Sequence, residues 1–321
     1  MNTNSTKMTF MNTMMIGIMV STCSNSWMMI WAGLEISLMS FIPLMEKESV
    51  LSTESSIKYF IIQSISSSMM ILGLIISMKT ASWLLISCSM LIKMGTSPFH
   101  MWMISVSEGL SYKNLFIMLT ITKMPPMTIM SYNMTDNPIM SIMSLIIGSM
   151  MGLNQTSMRK ILTYSSIYNM GFMLMMTKMT TNWILFLMIY SMMLAMTMTM
   201  LKMMSISYIN QMSINNQKIL SKMNMWILMM SMSGLPPSIG FLNKLMVIEL
   251  MIQKNQLLIS ITMILTSLIV SFYYTRMMFS SFMFQSMTMK WQTKTNNKML
   301  ISMSMASMLM SPAIMTIKSM S

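Results

Sequence analysis

The chain has 321 residues, of which 54% are apolar and only 8% are charged, and its formal net charge is +13. Soluble domains carry about 25% charged residues, so this composition excludes a soluble protein and predicts an all-α integral membrane protein. Most cations fall in short loops between apolar stretches. Membrane topology therefore explains the basic balance better than nucleic-acid binding does, and no nucleic-acid partner is expected.

The apolar stretches predict a single membrane domain over residues 1–321. Each lasts about 20 residues with little alternation, which is typical of membrane-spanning helices. Eleven helices are predicted, at about 8–24, 27–45, 56–78, 81–103, 113–132, 137–153, 160–177, 182–203, 224–248, 256–281 and 299–317. No segment between them is long enough to separate soluble domains.

Loop charges predict the orientation. With the N-terminus on the inner side, thirteen loop cations fall on the inner side and four on the outer side, namely Lys79, Lys178, Lys254 and Lys318. Inner loops of membrane proteins are enriched in lysine and arginine. The eleven-helix count and an inner N-terminus therefore support each other.

Three ionisable residues lie well inside predicted spans: Glu35 in the second, Lys93 in the fourth and Lys123 in the fifth. Such a group costs at least about 3 kcal/mol at mid-membrane, and it is usually functional or paired inside the helix bundle. A purely structural Glu–Lys pair is the alternative for any one of them. Considered without its neighbours, Lys244 is as compatible with an anchor that snorkels to the membrane surface as with a buried site.

Two predicted spans also contain helix breakers. The fourth, "LIKMGTSPFHMW", carries Pro98 after Lys93, and the ninth, "SGLPPSIGFLNKL", carries Pro236 and Pro237 before Lys244. A broken helix in lipid needs protein or a water-lined cavity around it. The two spans are five helices apart, so a five-helix unit would be inverted on its second occurrence. We therefore predict inverted repeats over about 8–132 and 137–281, followed by a helix at about 299–317, with a central site at the breaks.

The chemistry of these residues suits proton transfer. Burial favours the neutral form of a lysine, and a nearby carboxylate favours the charged form. A change in the distance between Glu35 and Lys93 would thus make the lysine take up or release a proton. His100 is a possible relay or a structural hydrogen-bonding group, and hydroxyl side chains along the spans cannot be ranked from sequence. No phosphate loop, cysteine ligand cluster or histidine pair occurs, so no cofactor or metal is expected on this chain.

Five segments resemble the chain 2 family of mitochondrial NADH:ubiquinone oxidoreductase, respiratory complex I. They occur in the family's order and cover nearly the whole chain except the stretch after Lys254: "WAGLEISLMSFIPLM", "IKYFIIQS", "LIKMGTSPFHMW", "GLNQTSMRKILTYSSIYNMGF" and "SGLPPSIGFLNK". The 61 methionines fit the invertebrate type, encoded in an AT-rich mitochondrial genome that reads AUA as methionine.

This resemblance implies an antiporter-like subunit of the membrane arm in the mitochondrial inner membrane, with its N-terminus on the matrix side. It makes Glu35 and Lys93 a charge pair, Lys123 the central relay lysine and Lys244 the lysine of the second broken helix. NADH, FMN, iron–sulfur clusters and ubiquinone would belong to the complex as a whole. Expected partners are the other membrane-arm subunits and phospholipids such as cardiolipin.

Two other functions remain open from the sequence. An independent cation/proton antiporter would share the inverted repeat and the buried lysines, but it would exchange ions without partner subunits. A non-conducting scaffold would tolerate replacement of Lys93 without loss of pumping.

Overall fold

The structure is a computed structural model that describes residues 2–46, 49–80, 83–133, 138–177, 180–214, 219–236 and 238–283. Its regular elements in these ranges are fourteen α-helices and one 3₁₀ turn at Ile121–Lys123. The helices are α1 Asn2–Cys23, α2 Trp27–Met45, α3 Val50–Thr80, α4 Leu84–Met94, α5 Met101–Gly109, α6 Tyr112–Leu119, α7 Met124–Asn133, α8 Pro138–Leu153, α9 Met158–Met175, α10 Thr180–Met203, α11 Ile209–Ile214, α12 Ile219–Ser233, α13 Ile239–Gln253 and α14 Leu257–Met283.

The helical fold class is confirmed, and the first ten predicted spans coincide with helices. The fourth and ninth spans are interrupted as predicted, giving α4–α5 and α12–α13. The fifth span contains a further interruption that was not predicted, because the 3₁₀ turn separates α6 from α7. The predicted helix at 299–317 and Pro237 lie outside the described residues. The count of eleven spans and the inverted repeats stay predictions.

Four helices in the described ranges are long and apolar enough to cross a membrane by length and composition. They cover Trp27–Met45, Val50–Ser77, Asn182–Met203 and Leu257–Phe279. Their outward faces carry large apolar side chains; on α14 these include Leu257, Ile261, Leu265, Leu268 and Phe272, all more than half exposed. Lipid, rather than water, suits such a surface.

Serine and threonine side chains are satisfied within these apolar helices by local hydrogen bonds. The hydroxyl groups of Ser66, Ser89, Ser107 and Thr197 are buried, and each donates to the carbonyl three residues earlier. This local bond lets a hydroxyl lie inside a membrane helix without a partner from another helix.

The chain forms two compact units. The first comprises residues up to Ser144 together with Met173–Trp183, and the second comprises Leu145–Phe172 and the described residues from Ile184 onward. The first therefore contains the interruptions α4–α5 and α6–α7, and the second contains α12–α13.

Within the first unit, α1 and α2 cross at a pair of glycines. A Cβ atom on Gly17 would lie 2.7 Å from the backbone nitrogen of Ser37, and one on Gly33 would lie 2.7 Å from the carbonyl oxygen of Gly17. Small residues allow membrane helices to approach this closely. The crossing fixes the part of α2 that carries Glu35.

Candidate functional site

The first helix interruption begins at Gly95. This residue has a left-handed backbone (φ 64°), which ends α4 after Met94. The backbone N–H of Gly95 donates to the carbonyl of Ile92 (3.0 Å), and that of Thr96 donates to Leu91 (3.2 Å). Glycine adopts this conformation without the steric penalty of a Cβ, which is why helices commonly end there.

Two neutral side chains complete the cap of α4. The indole Nε1 of Trp102 donates to the carbonyl of Ile92 at 3.0 Å, and the amide Nε2 of Gln63 donates to the carbonyl of Lys93 at 3.4 Å. The last carbonyls of a helix have no partner inside the helix. Here the carbonyls of Leu91, Ile92 and Lys93 are satisfied without the lysine ammonium.

The Lys93 side chain is only 8% exposed and borders a small cavity inside the first unit. The cavity has a volume of about 20 Å³ and is lined by Leu34, Ser37, Leu38, Tyr59, Gln63, Lys93, Thr122 and Pro126. A volume of this size holds about one water molecule when polar groups surround it. Hydroxyl, amide and ammonium groups supply that polar lining.

Glu35 lies close enough to Lys93 for electrostatic attraction between the carboxylate and the ammonium. The two described side chains do not form an ion pair closer than 4.0 Å, unlike the exposed Lys58 and Glu54. Glu35 and Lys93 therefore attract each other without direct contact. Their role as a functional charge pair stays a prediction.

His100 precedes α5 at the far end of the same interruption and is 7% exposed. Its Nδ1 atom lies 3.2 Å from the carbonyl oxygen of Pro98, within hydrogen-bonding distance. This local contact accounts for the position of the ring. A relay role for His100 stays a prediction.

Lys123 lies in the 3₁₀ turn between α6 and α7. The backbone N–H of Lys123 donates to Thr120 (3.2 Å), three residues earlier, rather than to the fourth residue as in an α-helix. Pro125 and Pro126 follow in the first turn of α7. Prolines suit the first turn of a helix, but they have no backbone N–H to donate to the carbonyls of a preceding helix. Pro125 and Pro126 are therefore the feature of the sequence from which this interruption could have been predicted.

Lys123 is the most buried lysine of the described residues, with 1% of the residue exposed. Its ammonium makes no hydrogen bond to another described residue. The neighbouring hydroxyls of Thr120 and Thr122 donate instead to backbone carbonyls four residues earlier, at 2.7 and 2.8 Å. Buried charged groups are normally hydrogen-bonded, so the Lys123 amine is an exception among the buried polar groups. Its role as a relay stays a prediction.

The third interruption lies in the second unit, between α12 and α13. Gly234 has a left-handed backbone (φ 78°) and follows the end of α12 at Ser233. The Lys244 ammonium, from the second turn of α13, donates to the carbonyl of Ser233 at 2.6 Å. The C-terminal end of a helix carries partial negative charge, which a cation stabilises.

Lys244 is 6% exposed and has a second favourable contact. Its ammonium lies 5.1 Å from the centre of the Tyr168 ring, within the range of a cation–π interaction. Asn243, next to it, donates through Nδ2 to the carbonyl of Phe186 at 3.2 Å, which anchors α13 to α10. Neither Tyr168 nor this anchor had a signal in the sequence.

The predicted site residues are thus divided between the units. Glu35, Lys93 and Lys123 lie in the first unit and Lys244 lies in the second. In the part of the chain that the structure describes, no three His, Cys, Asp or Glu side chains are grouped so that they could hold a metal ion.

Two solved structures share this fold. A chain of respiratory complex I from Thermus thermophilus, solved with bound aureothin, matches with a TM-score of 0.80 at 17% identity, over 93% of this chain and 75% of that one. A chain of the Mrp complex from Dietzia sp. matches with a TM-score of 0.72 at 14% identity, over 89% of this chain and 61% of that one.

Proteins related by sequence are more similar to this chain in identity than these two solved structures are. NADH-ubiquinone oxidoreductase chain 2 of Anopheles gambiae is 36% identical, with 90% of each chain covered. The chain 2 protein of Locusta migratoria is 35% identical over 96% of this chain and 95% of its own length. A family profile described as NADH:quinone oxidoreductase/Mrp antiporter, transmembrane, matches residues 24–84 and 76–272. The chain therefore belongs to the NADH:quinone oxidoreductase/Mrp antiporter family, among the NADH-ubiquinone oxidoreductase chain 2 proteins.

Proposed function

We propose that the chain is a membrane-arm subunit of proton-pumping NADH:ubiquinone oxidoreductase in the mitochondrial inner membrane, with its N-terminus on the matrix side. Its protons pass through Glu35, Lys93, Lys123 and Lys244, with His100 as a further relay. Electron transfer takes place on other subunits, which hold NADH, FMN, iron–sulfur clusters and ubiquinone. The other membrane-arm subunits and phospholipids such as cardiolipin are the partners.

One observation carries this proposal: three of the four buried lysines in the described ranges lie at a helix interruption, and the fourth, Lys222, lies near the start of α12. Lys93 is in the last turn of α4, Lys123 is in the turn between α6 and α7, and the Lys244 ammonium reaches the end of α12. Interrupted membrane helices expose backbone groups that hold water and ions. Three lysines at three interruptions are hard to explain as packing alone, because apolar side chains would pack there at lower cost.

Proton transfer follows from the surroundings of these amines. Held away from bulk water, an amine gains or loses its proton according to nearby charges. The Glu35 carboxylate acts on Lys93 through space rather than through an ion pair. A modest movement of either group therefore changes the attraction between them, which couples motion to proton transfer.

Replacement of Lys93 by methionine in the assembled complex tests the proposal. We expect fewer protons translocated per NADH oxidised, because removal of a positioned proton carrier slows transfer by about 10²–10⁴. Lys113→Met is the matched control, since Lys113 is exposed at the start of α6. The measurement is proton uptake into liposomes that contain the purified complex. Normal pumping by an assembled Lys93→Met complex would refute the proposal and favour the scaffold.

An independent cation/proton antiporter is the alternative. The likeness to the Mrp complex concerns the fold alone at 14% identity, whereas the relatives above 30% identity are named as chain 2 of the oxidoreductase. The purified chain in liposomes separates the two functions. Ion exchange without partner subunits would favour the antiporter, and activity only in the complex would favour the subunit.

A further inference from the structure

Four tyrosines form a buried cluster in the second unit, beyond the lysines of the proposed path. Tyr168 comes from α9, Tyr190 from α10, and Tyr273 and Tyr274 from α14, and none is more than 1% exposed. We refer to these four residues as the tyrosine cluster. Phenylalanine would pack as well in such surroundings, so the hydroxyl groups require a separate explanation.

The members of the cluster are mutual neighbours. The Tyr273 and Tyr274 rings have centres 4.6 Å apart, and Tyr273 also interacts electrostatically with Tyr168 and Tyr190. The Tyr190 hydroxyl lies beside Asn169 and two α9 serines. The cluster thus brings hydroxyl groups from three helices together inside the protein.

The four hydroxyl groups of the cluster form no well-defined hydrogen bond, within the described ranges, that would hold the helices together. None of the four buried oxygens makes a fully formed hydrogen bond to another described residue, but each has polar neighbours. The Tyr168 hydroxyl lies beside Thr266, and the Tyr274 hydroxyl lies beside Ser165 and Tyr273. A hydroxyl has one donor and two acceptor positions. A buried hydroxyl with unused positions is costly unless another polar group or a bridging water supplies the missing hydrogen bonds, and hydroxyls linked in this way can also pass protons.

One end of the cluster meets the proposed proton path. The Lys244 ammonium lies 5.1 Å from the centre of the Tyr168 ring while it donates to the Ser233 carbonyl. Tyr168 is therefore the member of the cluster in contact with the lysine.

The other end of the cluster approaches an open pocket of about 520 Å³. The pocket is lined by Leu153, Asn154, Gln155, Thr156, Ile209, Asn210, Arg276 and Met277. Tyr273 lies one helical turn before Met277, and its ring packs against Gly152, where a Cβ would be 3.2 Å from Cε1. An Arg276 N–H donates to the Leu153 carbonyl at 2.6 Å, which joins α14 to this loop.

We propose that the tyrosine cluster carries protons between this pocket and Lys244, an inference that rests on the proposed function. At each step a hydroxyl oxygen accepts a proton from the preceding donor and releases its own to the next acceptor, so no net charge stays on the tyrosines. The final acceptor is the neutral amine of Lys244. The loop charges assign residues 152–160 and Arg276 to the inner side, so the path serves proton uptake.

The test is Tyr273→Phe in the assembled complex in liposomes, because this change removes the hydroxyl and keeps the ring. We expect protons translocated per NADH oxidised to fall, with proton transfer at this step slower by about tenfold or more. Tyr164→Phe is the matched control: it lies on α9 with 6% exposure, and its electrostatic neighbour is Lys160 rather than the cluster. If Tyr273→Phe does not assemble, Tyr190→Phe replaces it.

The outcomes distinguish this inference from the proposed function. Normal pumping by Tyr273→Phe together with lost pumping by Lys244→Met would overturn the path and leave the proposed function intact. An equal loss with Tyr164→Phe would also overturn the path, since any buried hydroxyl would then have the same effect. Normal pumping by the lysine variants would refute the proposed function itself.

Discussion

The interruptions after α4 and after α12 have the same backbone design but use their lysines differently. Both helices end at a glycine with a left-handed backbone, Gly95 or Gly234. After α4, an indole and an amide satisfy the carbonyls, and Lys93 borders a polar cavity. After α12, Lys244 itself bonds the terminal carbonyl. A change of charge on Lys93 thus leaves the cap of α4 unaffected, whereas a change of charge on Lys244 also weakens or strengthens the cap of α12.

The largest expected effect on stability is that of Lys244→Met. It removes a charged donor from the Ser233 carbonyl, and such a hydrogen bond contributes about 1.5–3 kcal/mol. Lys93→Met leaves its neighbouring carbonyls satisfied and should destabilise the complex less. Thermal denaturation of the two assembled complexes measures the difference. If both lose the same stability, the distinction between the two interruptions is wrong.

The two glycines give a paired test of intermediate size. Alanine at either position costs about 1–2 kcal/mol, because an L-residue resists the left-handed conformation. A Cβ at Gly234 would lie 2.9 Å from the Lys244 ammonium nitrogen, whereas one at Gly95 meets the flexible end of Met103. We expect similar thermal shifts, with proton pumping impaired only by Gly234→Ala. Impaired pumping by Gly95→Ala alone would contradict this.

The smallest expected effect is that of Trp102→Phe. It removes the indole donor from the Ile92 carbonyl, which still accepts the N–H of Gly95, so the loss is about 0.5–1.5 kcal/mol. Pumping should persist, because the Lys93 ammonium is unchanged. Liposome assays beside a thermal melt check both points. Abolished pumping with normal assembly would mean that the cap also tunes the lysine.

The sequence predicted the two interruptions that combine proline with a nearby lysine, because proline cannot donate a backbone hydrogen bond wherever it lies. It placed the first break at Pro98, whereas α4 already ends before Gly95. The break at Lys123 was missed although Pro125 and Pro126 follow directly. Beside its 3₁₀ turn, the hydroxyls of Thr120 and Thr122 donate to backbone carbonyls, and local geometry rather than residue type selects those acceptors.

The hydrogen-bond partners of the buried side chains could not be predicted from the sequence. The bond from Lys244 to Ser233 spans eleven residues across a turn, and the one from Gln63 to Lys93 spans thirty. The buried tyrosines come from three helices and share no spacing that marks them. Such contacts arise from helix packing, so periodicity identifies the helices without identifying the partners.

The glycine crossing of α1 and α2 has a consequence for inherited variation in this part of the chain. Gly33 lies two positions before Glu35, and a Cβ added to it would lie 2.7 Å from the backbone nitrogen of Ser21 on α1. A single added methyl group at Gly17 or Gly33 would push the two helices apart and carry the carboxylate along. The attraction between the Glu35 carboxylate and the Lys93 ammonium depends on the distance between them. A substitution that adds no charge would therefore change this attraction in the same way as a change in the charge of Glu35.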